Sequence, residues 1–230
     1  MTGKRFVIGD IHGNFKALSF VISLACHDLS ISRFSEIEQL IILGDVVDGY
    51  SKTKECIDFL LSFGDRLMFI LGNHDLWAYN WFKTSVELPI WVHQGGYATM
   101  QSYDFDYKSV PESHKNMISS APYYYIDAQN NLFIHGGFDP DISMSDQDIG
   151  TMVWDRELWQ KARLAPIKGY NRIFIGHSTT QLVYNDVDHT TPIFFNNLVM
   201  LDTGAGWNGR LTLMDIDTLQ YWSSGKYERY

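Results

Sequence analysis

The chain has 230 residues, 45% of them hydrophobic, and a formal net charge of −9 at neutral pH. The length and apolar content predict a single domain over residues 1–230, and the acidic balance argues against long nucleic acid as a partner, because phosphate backbones are bound by basic surfaces. No apolar run approaches the roughly 18 residues of a membrane-spanning helix, so we expect no membrane partner.

Two further features predict a cytoplasmic location. Cys26 and Cys56 lie in helix-like apolar segments and form no CxxC pair, which is typical of buried free thiols in a reducing compartment. The first strand-like segment follows Met1 without a charged and apolar leader. The sequence leaves the oligomeric state open.

The first half of the sequence alternates short apolar runs with amphipathic segments. The apolar runs predict strands at Phe6–Ile8, Leu40–Leu43 and Leu67–Leu71. The segments Asn14–Ala25, Lys54–Phe63 and Asp75–Phe82 are predicted helices, the first two on apolar residues at helical spacing. This alternation is typical of a mostly parallel sheet covered by helices.

The second half is richer in strands. Strands are predicted at Tyr123–Ile126, Leu132–Ile134, Ile173–Ile175, Leu198–Leu201, Leu211–Ile216 and Leu219–Trp222, with a helical stretch over Met152–Trp159. Strands that follow one another directly favour antiparallel pairing, and the last two are predicted to form a hairpin at Asp217-Thr218. The polar and aromatic segment Tyr103–Ser113 is interpreted as a loop over the active face. The predicted fold class is α/β, with two packed mixed β-sheets flanked by helices.

Five predicted strands end in a metal-competent side chain beside glycine. The segments are Gly9-Asp10-Ile11-His12-Gly13, Gly44-Asp45, Gly72-Asn73-His74-Asp75, His135-Gly136-Gly137 and Gly176-His177. In sheets of this kind ligands bind beyond the carboxyl ends of the strands, so the five ends are expected to converge.

The residue types at these ends predict what is bound. The candidate metal ligands are Asp10, His12, Asp45, Asn73, His135 and His177. Oxygen and imidazole ligands without thiolate suit Mn²⁺, Fe or Zn²⁺, and six ligands exceed the four of a structural zinc site. We therefore expect two divalent ions, with Asp45 as the bridging ligand because its strand should lie between the others. Each residue alone has an ordinary alternative, a helix cap or a core histidine, and the prediction depends on their joint occurrence.

In the same order along the chain, these motifs resemble those of the calcineurin-like metallophosphoesterases. The motifs are GDIHG, GDVVD, GNHD, HGG and GH, and the resemblance as a whole spans about Gly9 to Gly206. Within the family it is similar to the serine/threonine phosphoprotein phosphatase branch, and most of all to small bacterial and phage members that include the symmetrical diadenosine tetraphosphatases. The resemblance implies the family's αββα sandwich of two sheets between helices.

Roles for individual residues also follow from the resemblance. It implies Asp10, His12 and Asp45 as ligands of the first ion, and Asp45, Asn73, His135 and His177 as ligands of the second. It implies a general acid at His74, oriented by Asp48, and a phosphate clamp at Arg156 within Trp154-Asp155-Arg156-Glu157. Asn73 would also lie against the substrate. A hydroxide bridging the ions would attack phosphorus.

The sequence departs from the family pattern at two positions. Gly49 stands where the family usually has arginine, so one phosphate-binding guanidinium is missing, and Lys52 and Lys54 are the nearest cationic replacements. Asp75 stands where phosphoprotein phosphatases usually carry glutamate. The segment Leu201–Gly206 is interpreted as structural. The remaining histidines, His27, His93, His114 and His189, have no spacing typical of ligands and are interpreted as ordinary surface or core residues.

Three functions remain open at this point. The first is metal-dependent hydrolysis of phosphomonoesters, either phosphoserine and phosphothreonine in proteins or small phosphoesters. The second is hydrolysis of dinucleoside polyphosphates or other nucleotides at the same metals. The third is a non-catalytic, metal-binding regulatory module, which the retention of His74 disfavours and the loss of the arginine at Gly49 mildly favours.

Overall fold

The computed structural model describes residues 3–227. The strands are β1 Lys4–Ile8, β2 Ile37–Ile42, β3 Leu67–Phe69, β4 Tyr124–Ile126, β5 Leu132–Ile134, β6 Ile173–Ile175, β7 Ile193–Phe195, β8 Leu198–Met200, β9 Thr212–Asp215 and β10 Tyr221–Ser223. The α-helices are α1 Phe15–Asp28, α2 Thr53–Leu61, α3 Asn73–Thr84, α4 Pro89–Trp91, α5 Tyr97–Ser102, α6 Glu112–Ser119, α7 Ile149–Trp154, α8 Leu158–Leu164 and α9 Thr180–Tyr184. A π-helical turn, Val92–Gly96, joins α4 to α5.

The first sheet has the strand order β10-β9-β1-β2-β3. β1, β2 and β3 pair in parallel, which confirms the arrangement predicted from the alternating strands and helices. β9 and β10 form the predicted hairpin and extend this sheet on its other side, with β9 antiparallel to β1. β2 therefore lies between β1 and β3, as expected for the strand that carries Asp45.

The second sheet has the order β4-β5-β6-β8-β7, and its central pairs differ from expectation. β5, β6 and β8 are parallel, whereas neighbouring strands in this half were expected to be antiparallel. Parallel neighbours need long crossover connections. α7 and α8 supply one of these crossovers and α9 lies within the other. Only the outer pairs, β4 with β5 and β7 with β8, are antiparallel.

The two sheets pack face to face through alternate strand residues. Val7 and Ile41 of the first sheet share a buried cluster with Phe133 and Phe174 of the second. The rings of Phe133 and Phe174 stack with centroids 5.0 Å apart. Phe6 points the other way, into the helices over the first sheet, because successive side chains of a strand alternate between its faces. This arrangement confirms the predicted fold class of two mixed sheets flanked by helices.

The helix predicted over Met152–Trp159 is broken into α7 and α8. Asp155 has an extended backbone conformation that ends α7. Its carboxylate then accepts hydrogen bonds from the backbone N–H groups of Glu157 and Leu158, at 3.1 and 2.8 Å, and so caps α8. The prediction of one continuous helix was wrong because helical spacing did not reveal this cap. The break leaves Arg156 outside both helices.

The segment Tyr103–Ser113 was wrongly interpreted as a loop over the active face. Tyr103 is buried in the helical layer over the first sheet, where its hydroxyl lies 2.8 Å from His114 Nδ1. His114 Nε2 lies 2.9 Å from a carboxylate oxygen of Asp58. Both cysteines are buried and free, as predicted. Within residues 3–227, no helix has the length and apolar character needed to cross a membrane.

Candidate metal centre

The predicted ligands lie at the edge where the carboxyl ends of both sets of parallel strands meet. The first sheet contributes Asp10 and His12 after β1, Asp45 after β2, and Asn73 after β3. The second sheet contributes His135 after β5 and His177 after β6. All six side chains come together in space, although ten residues or more of chain separate the strands that carry them. This convergence is the general behaviour of sheets whose strands run in parallel.

The carboxylate of Asp45 belongs to two groups of candidate ligand atoms. One group is Asp10, His12 and Asp45, the other is Asp45, His135 and His177, and within each group the atoms lie within 4.8 Å of one another. Asp45 Oδ2 is 3.4 Å from His135 Nε2 and 3.9 Å from His12 Nε2. Two groups that share one carboxylate have the form of a two-ion centre with Asp45 between the ions.

Asn73 lies in the second group through its side-chain oxygen. Its Oδ1 is 2.9 Å from His135 Nε2, and the residue is buried. Asn73 opens α3, and the backbone N–H of the following residue, His74, donates to Asp45 Oδ1 at 2.9 Å. The start of this helix therefore fixes Asn73 and Asp45 relative to each other.

Three of the ligands have left-handed backbone conformations. The φ angles of His12, Asp45 and His177 are +52°, +50° and +58°. Such angles are uncommon outside glycine and cost free energy, and they cluster at functional sites. Here each one turns the chain sharply at the end of a strand, so the side chain is directed back over the sheet edge.

Glycines allow these side chains to approach the neighbouring strand ends. A Cβ atom on Gly72 would lie 2.2 Å from Asp45 Oδ1, and one on Gly176 would lie 2.3 Å from Asp10 Oδ1. Any larger residue at either position would displace a candidate ligand. The glycines next to the metal-competent residues in the sequence are thus explained by close packing.

Asp75 connects the ends of β2 and β3. Its carboxylate accepts hydrogen bonds from the backbone N–H groups of Gly72, Asp45 and Val46, at 2.9, 2.7 and 3.0 Å. The carboxylate is buried and lies behind the ligands. Aspartate in place of the glutamate of phosphoprotein phosphatases therefore has a positioning role here, holding the turn that carries Asp45.

Hydrogen bonds to backbone carbonyls set the tautomers of two ligand histidines. His135 Nδ1 lies 2.6 Å from the carbonyl oxygen of Leu43, and His12 Nδ1 lies 3.1 Å from that of Val47. A carbonyl only accepts, so Nδ1 carries the proton in both rings and Nε2 is left with a lone pair. In each case Nε2 is the nitrogen that faces Asp45, the arrangement expected of metal-binding histidines.

The electrostatics of the centre fit bound cations. His177 Nε2 is buried without a hydrogen-bond partner within residues 3–227. Burial, together with the nearby His135 and Arg156, lowers the pKa of His177 to about 2, so its ring is a neutral electron-pair donor. Burial and the neighbouring carboxylates Asp202 and Asp45 raise the pKa of Asp10 well above its usual value. An orphaned lone pair and crowded buried carboxylates are both stabilised by divalent ions.

His74 and Asp48 form a hydrogen-bonded pair next to the ligands. His74 Nδ1 lies 2.6 Å from Asp48 Oδ2. Asp48 is fully buried and also accepts hydrogen bonds from Trp91 Nε1 and Thr99 Oγ1. Burial lowers the pKa of His74, but the carboxylates of Asp45 and Asp48 more than offset this and raise it to about 9. The ring therefore holds a proton at neutral pH, with Nε2 left for a substrate.

Four of the six candidate ligands, Asp10, His12, Asp45 and His177, line a cavity of about 380 Å³, and Asn73 and His135 are buried next to them. We call the six ligands, Asp10, His12, Asp45, Asn73, His135 and His177, the floor. We call the side chains His93, Gln94, Arg156, Thr179 and Trp207, which line the cavity above it, the wall. Arg156 is placed by the break between α7 and α8, and its Nη1 donates to the carbonyl oxygen of His177 at 2.8 Å. The predicted phosphate clamp, Arg156, is thus held at the cavity by its hydrogen bond to a floor residue.

Two tryptophans pack against the rings of His74 and of the candidate ligand His177. The Trp77 ring meets His74 edge to face at 5.2 Å between centroids, and Trp154 meets His177 in the same way at 5.7 Å. The two indoles contact each other at 5.0 Å. This packing restricts the rotation of both imidazoles.

Several cavity residues were missed or misplaced by sequence reasoning. His93 was interpreted as an ordinary histidine and lines the cavity, as do Thr179 and Trp207, which had no assigned role. The segment Leu201–Gly206 was interpreted as structural, but its Asp202 also lines the cavity. A usable signal was present at Gln94-Gly95-Gly96, which follows His93 directly and resembles a family loop near the active face.

The two lysines nearest in sequence to the missing arginine do not line the cavity. Lys52 Nζ pairs with Glu55 Oε1 at 2.6 Å and lines a separate surface pocket beside Gly13 and Tyr50. Lys54 is exposed on α2 and does not line the cavity. Among the described residues 3–227, Arg156 is therefore the one arginine or lysine that lines the cavity.

Paired carboxylate and imidazole groups beneath a polar cavity are typical of metal-dependent hydrolases. The model of the calcineurin-like phosphoesterase family matches residues 4–201, and the chain belongs to that family. Membership of this family implies that the chain binds metal and hydrolyses phosphoesters. Two ions agree with the family and with the shared Asp45, whereas Mn²⁺ as the particular metal stays a prediction, as does the cytoplasmic location.

The chain is similar to bacterial enzymes over almost its whole length. It is 22% identical to the symmetrical bis(5'-nucleosyl)-tetraphosphatase of Pasteurella multocida, with 98% of both chains covered. It is 25% identical to the asymmetrical bis(5'-nucleosyl)-tetraphosphatase PrpE of Bacillus cereus, covering 92% of this chain and 89% of that one. A solved structure described as a candidate diadenosine tetraphosphatase superposes with a TM-score of 0.69 at 17% identity, covering 99% and 95%, and shows the shared fold.

Proposed function

We propose that the protein hydrolyses dinucleoside polyphosphates. The observation that carries the proposal is the cavity, in which Trp207 stands over the floor. The Trp207 side chain is 67% exposed and lines the cavity. An exposed indole offers a stacking surface for a nucleobase. The names of the relatives from Pasteurella multocida and Bacillus cereus support the same substrate class.

The residues of the chain divide the work of hydrolysis. When bound, divalent ions supply positive charge for the phosphoryl oxygens and make a water acidic enough to react. Arg156 binds an equatorial oxygen of the phosphoryl group with a charge-assisted hydrogen bond. His74 donates the proton on Nε2 to the leaving oxygen, and Asp48 holds its ring in position through Nδ1. The tryptophans beside His74 and His177 keep both rings in place.

Phosphomonoesters are the second candidate substrates, and one observation favours them. A protonated histidine held by a buried carboxylate assists most when the leaving group is basic, as the alkoxide of a serine or threonine ester is. A nucleotide leaving through a phosphate oxygen is a weaker base and needs this assistance less. The His74–Asp48 pair therefore keeps the sequence-based prediction of phosphoserine or phosphothreonine hydrolysis open.

A side-by-side assay separates these functions. The protein is purified with Mn²⁺, and kcat/KM is measured for diadenosine tetraphosphate, a phosphoserine peptide and a small aryl phosphate. We expect the dinucleotide to give the largest value. A phosphopeptide that reacts faster, with little turnover of the dinucleotide, contradicts the first proposal and supports the second. If protein shown to contain metal hydrolyses none of these substrates, the non-catalytic regulatory module is the remaining candidate function.

A further inference from the structure

A kinked turn forms one side of the cavity. It is the π-helical turn Val92–Gly96, in which Gln94 and Gly95 leave helical geometry and Gly95 has a φ of +114°. Both His93 and Gln94, which lie at this kink, line the cavity. Only glycine adopts the Gly95 conformation without strain.

The turn is fastened to the loop that carries Asp48 and Gly49. The backbone N–H of Gly49 donates to the carbonyl oxygen of Gly95 at 3.2 Å. A Cβ atom on Gly95 would lie 2.6 Å from the nitrogen of Gly49, so the two backbones are in direct contact. On either side of the turn, Trp91 Nε1 and Thr99 Oγ1 donate to the Asp48 carboxylate. The turn is therefore fixed relative to His74, although its side chains are exposed.

The side chains on this turn stand beside the place where the guanidinium is missing. Gly49 has no side chain, and its backbone contacts the turn that presents His93. In residues 3–227, the side chains of His93 and Gln94 make no hydrogen bond to another residue. An imidazole and a carboxamide both donate hydrogen bonds to phosphate oxygens. They are thus polar groups without a structural task, held at the mouth of a phosphate-binding cavity.

The number of phosphoryl oxygens favours a second donor in the cavity besides Arg156. A phosphoryl group has several oxygens, and those directed away from Arg156 and the ligands need other donors, since a phosphate oxygen desolvated without a partner costs free energy. His93 and Gln94 are the donors available on the side of Gly49.

We propose that His93, with Gln94 beside it, is the second anion-binding arm of the cavity and takes the place of an arginine at Gly49. The inference rests on the proposed phosphohydrolase function and concerns binding of the substrate. An imidazole is a weaker and shorter arm than a guanidinium. The cavity therefore holds the anionic end of its substrate less tightly than a site with two arginines.

The test compares His93→Ala with the wild-type protein in the presence of Mn²⁺. We expect KM for a small aryl phosphate and the inhibition constant of inorganic phosphate to rise together by about fivefold to tenfold, less than for a charge-assisted hydrogen bond of a guanidinium, because His93 is exposed to water. We expect kcat to stay within about twofold, because the arm binds ground state and transition state alike. His93→Arg should restore both constants. His27→Ala, an exposed histidine on α1, is the matched control and should change neither.

Other outcomes overturn the inference. Unchanged KM and inhibition constant in His93→Ala, or a loss confined to kcat, shows that His93 is not a binding arm. If the wild-type protein hydrolyses nothing, the proposed function fails by itself. Calorimetric titration of the Mn²⁺-loaded protein with inorganic phosphate then still tests the arm, and equal affinity of wild type and His93→Ala contradicts it. A melting temperature equal to that of wild type excludes loss of folding as the cause of any effect.

Discussion

The floor and the wall of the cavity are built in different ways. Every floor residue follows a strand within a few positions, so the sheet itself brings it to the site. The wall comes from turns and loops, such as the π-helical turn with His93 and the break between helices with Arg156. Five floor residues are buried and His12 is half-buried, whereas the wall is largely exposed. The strands of the fold therefore position the candidate metal ligands, whereas the residues that would set substrate preference lie in loops, which tolerate sequence change.

The most severe test of the floor is Asp45→Asn. The amide removes the charge that both ligand groups share and leaves His135 and His12 without their common carboxylate. We expect loss of activity larger than the roughly 10²–10⁴-fold contributed by a general acid, together with fewer bound ions per chain by elemental analysis. Asp188→Asn, a surface carboxylate, is the control. Full activity and two ions in Asp45→Asn would refute its bridging role.

His74→Asn separates proton transfer from metal binding. The floor is unchanged by this substitution, so the metal content should equal that of wild type. We expect kcat to fall by about 10²–10⁴-fold, and most for esters with basic leaving groups, because these need protonation. A rate that falls equally for aryl and alkyl phosphates would show that His74 does not act as the acid.

Arg156→Ala tests the link between wall and floor. The loss of a charge-assisted hydrogen bond costs about 1.5–3 kcal/mol, which corresponds to a fall in kcat/KM of about 10- to 150-fold. Arg156→Lys should recover only part of it, since a lysine cannot reproduce the forked geometry. Arg163→Ala, an exposed arginine on α8, is the control. An Arg156→Ala protein as active as Arg163→Ala would rule out the clamp.

Trp207→Ala should have the smallest effect and the most selective one. If the indole stacks on a base, KM for diadenosine tetraphosphate rises by about tenfold while KM for a small aryl phosphate stays the same. Leu164→Ala removes another exposed apolar side chain, which is 87% exposed, and should alter neither constant. Equal increases for both substrates would mean that Trp207 shapes the cavity without contacting a base.

The floor could be predicted from sequence because its signals are local. Each is an apolar run, a glycine and a metal-competent side chain, and the order of strands and helices predicts that the ends of β1, β2 and β3 converge. The pairing of β5, β6 and β8 was not predictable in this way, because parallel partners are far apart in the chain and their connections carry no pairing signal.

The wall was largely hidden from sequence analysis. His93 reaches the cavity only because Gly95 adopts a left-handed conformation and packs on Gly49, a contact between distant parts of the chain. Lys52, three residues after Gly49, was the nearer candidate in sequence, but closeness along a loop does not say which way a side chain points. Arg156 was found because its motif resembles a known family, although the cap formed by Asp155 that positions it was not foreseen.

The tryptophan pair beside the floor gives the molecule a natural optical probe. Trp77 and Trp154 contact each other and rest on His74 and His177, so any ion captured by the ligands changes the electric field at two coupled indoles. Paramagnetic ions such as Mn²⁺ also quench nearby excited states. Intrinsic fluorescence should therefore fall as metal is added and recover with a chelator, so that loading of the second ion site can be followed in real time without a label.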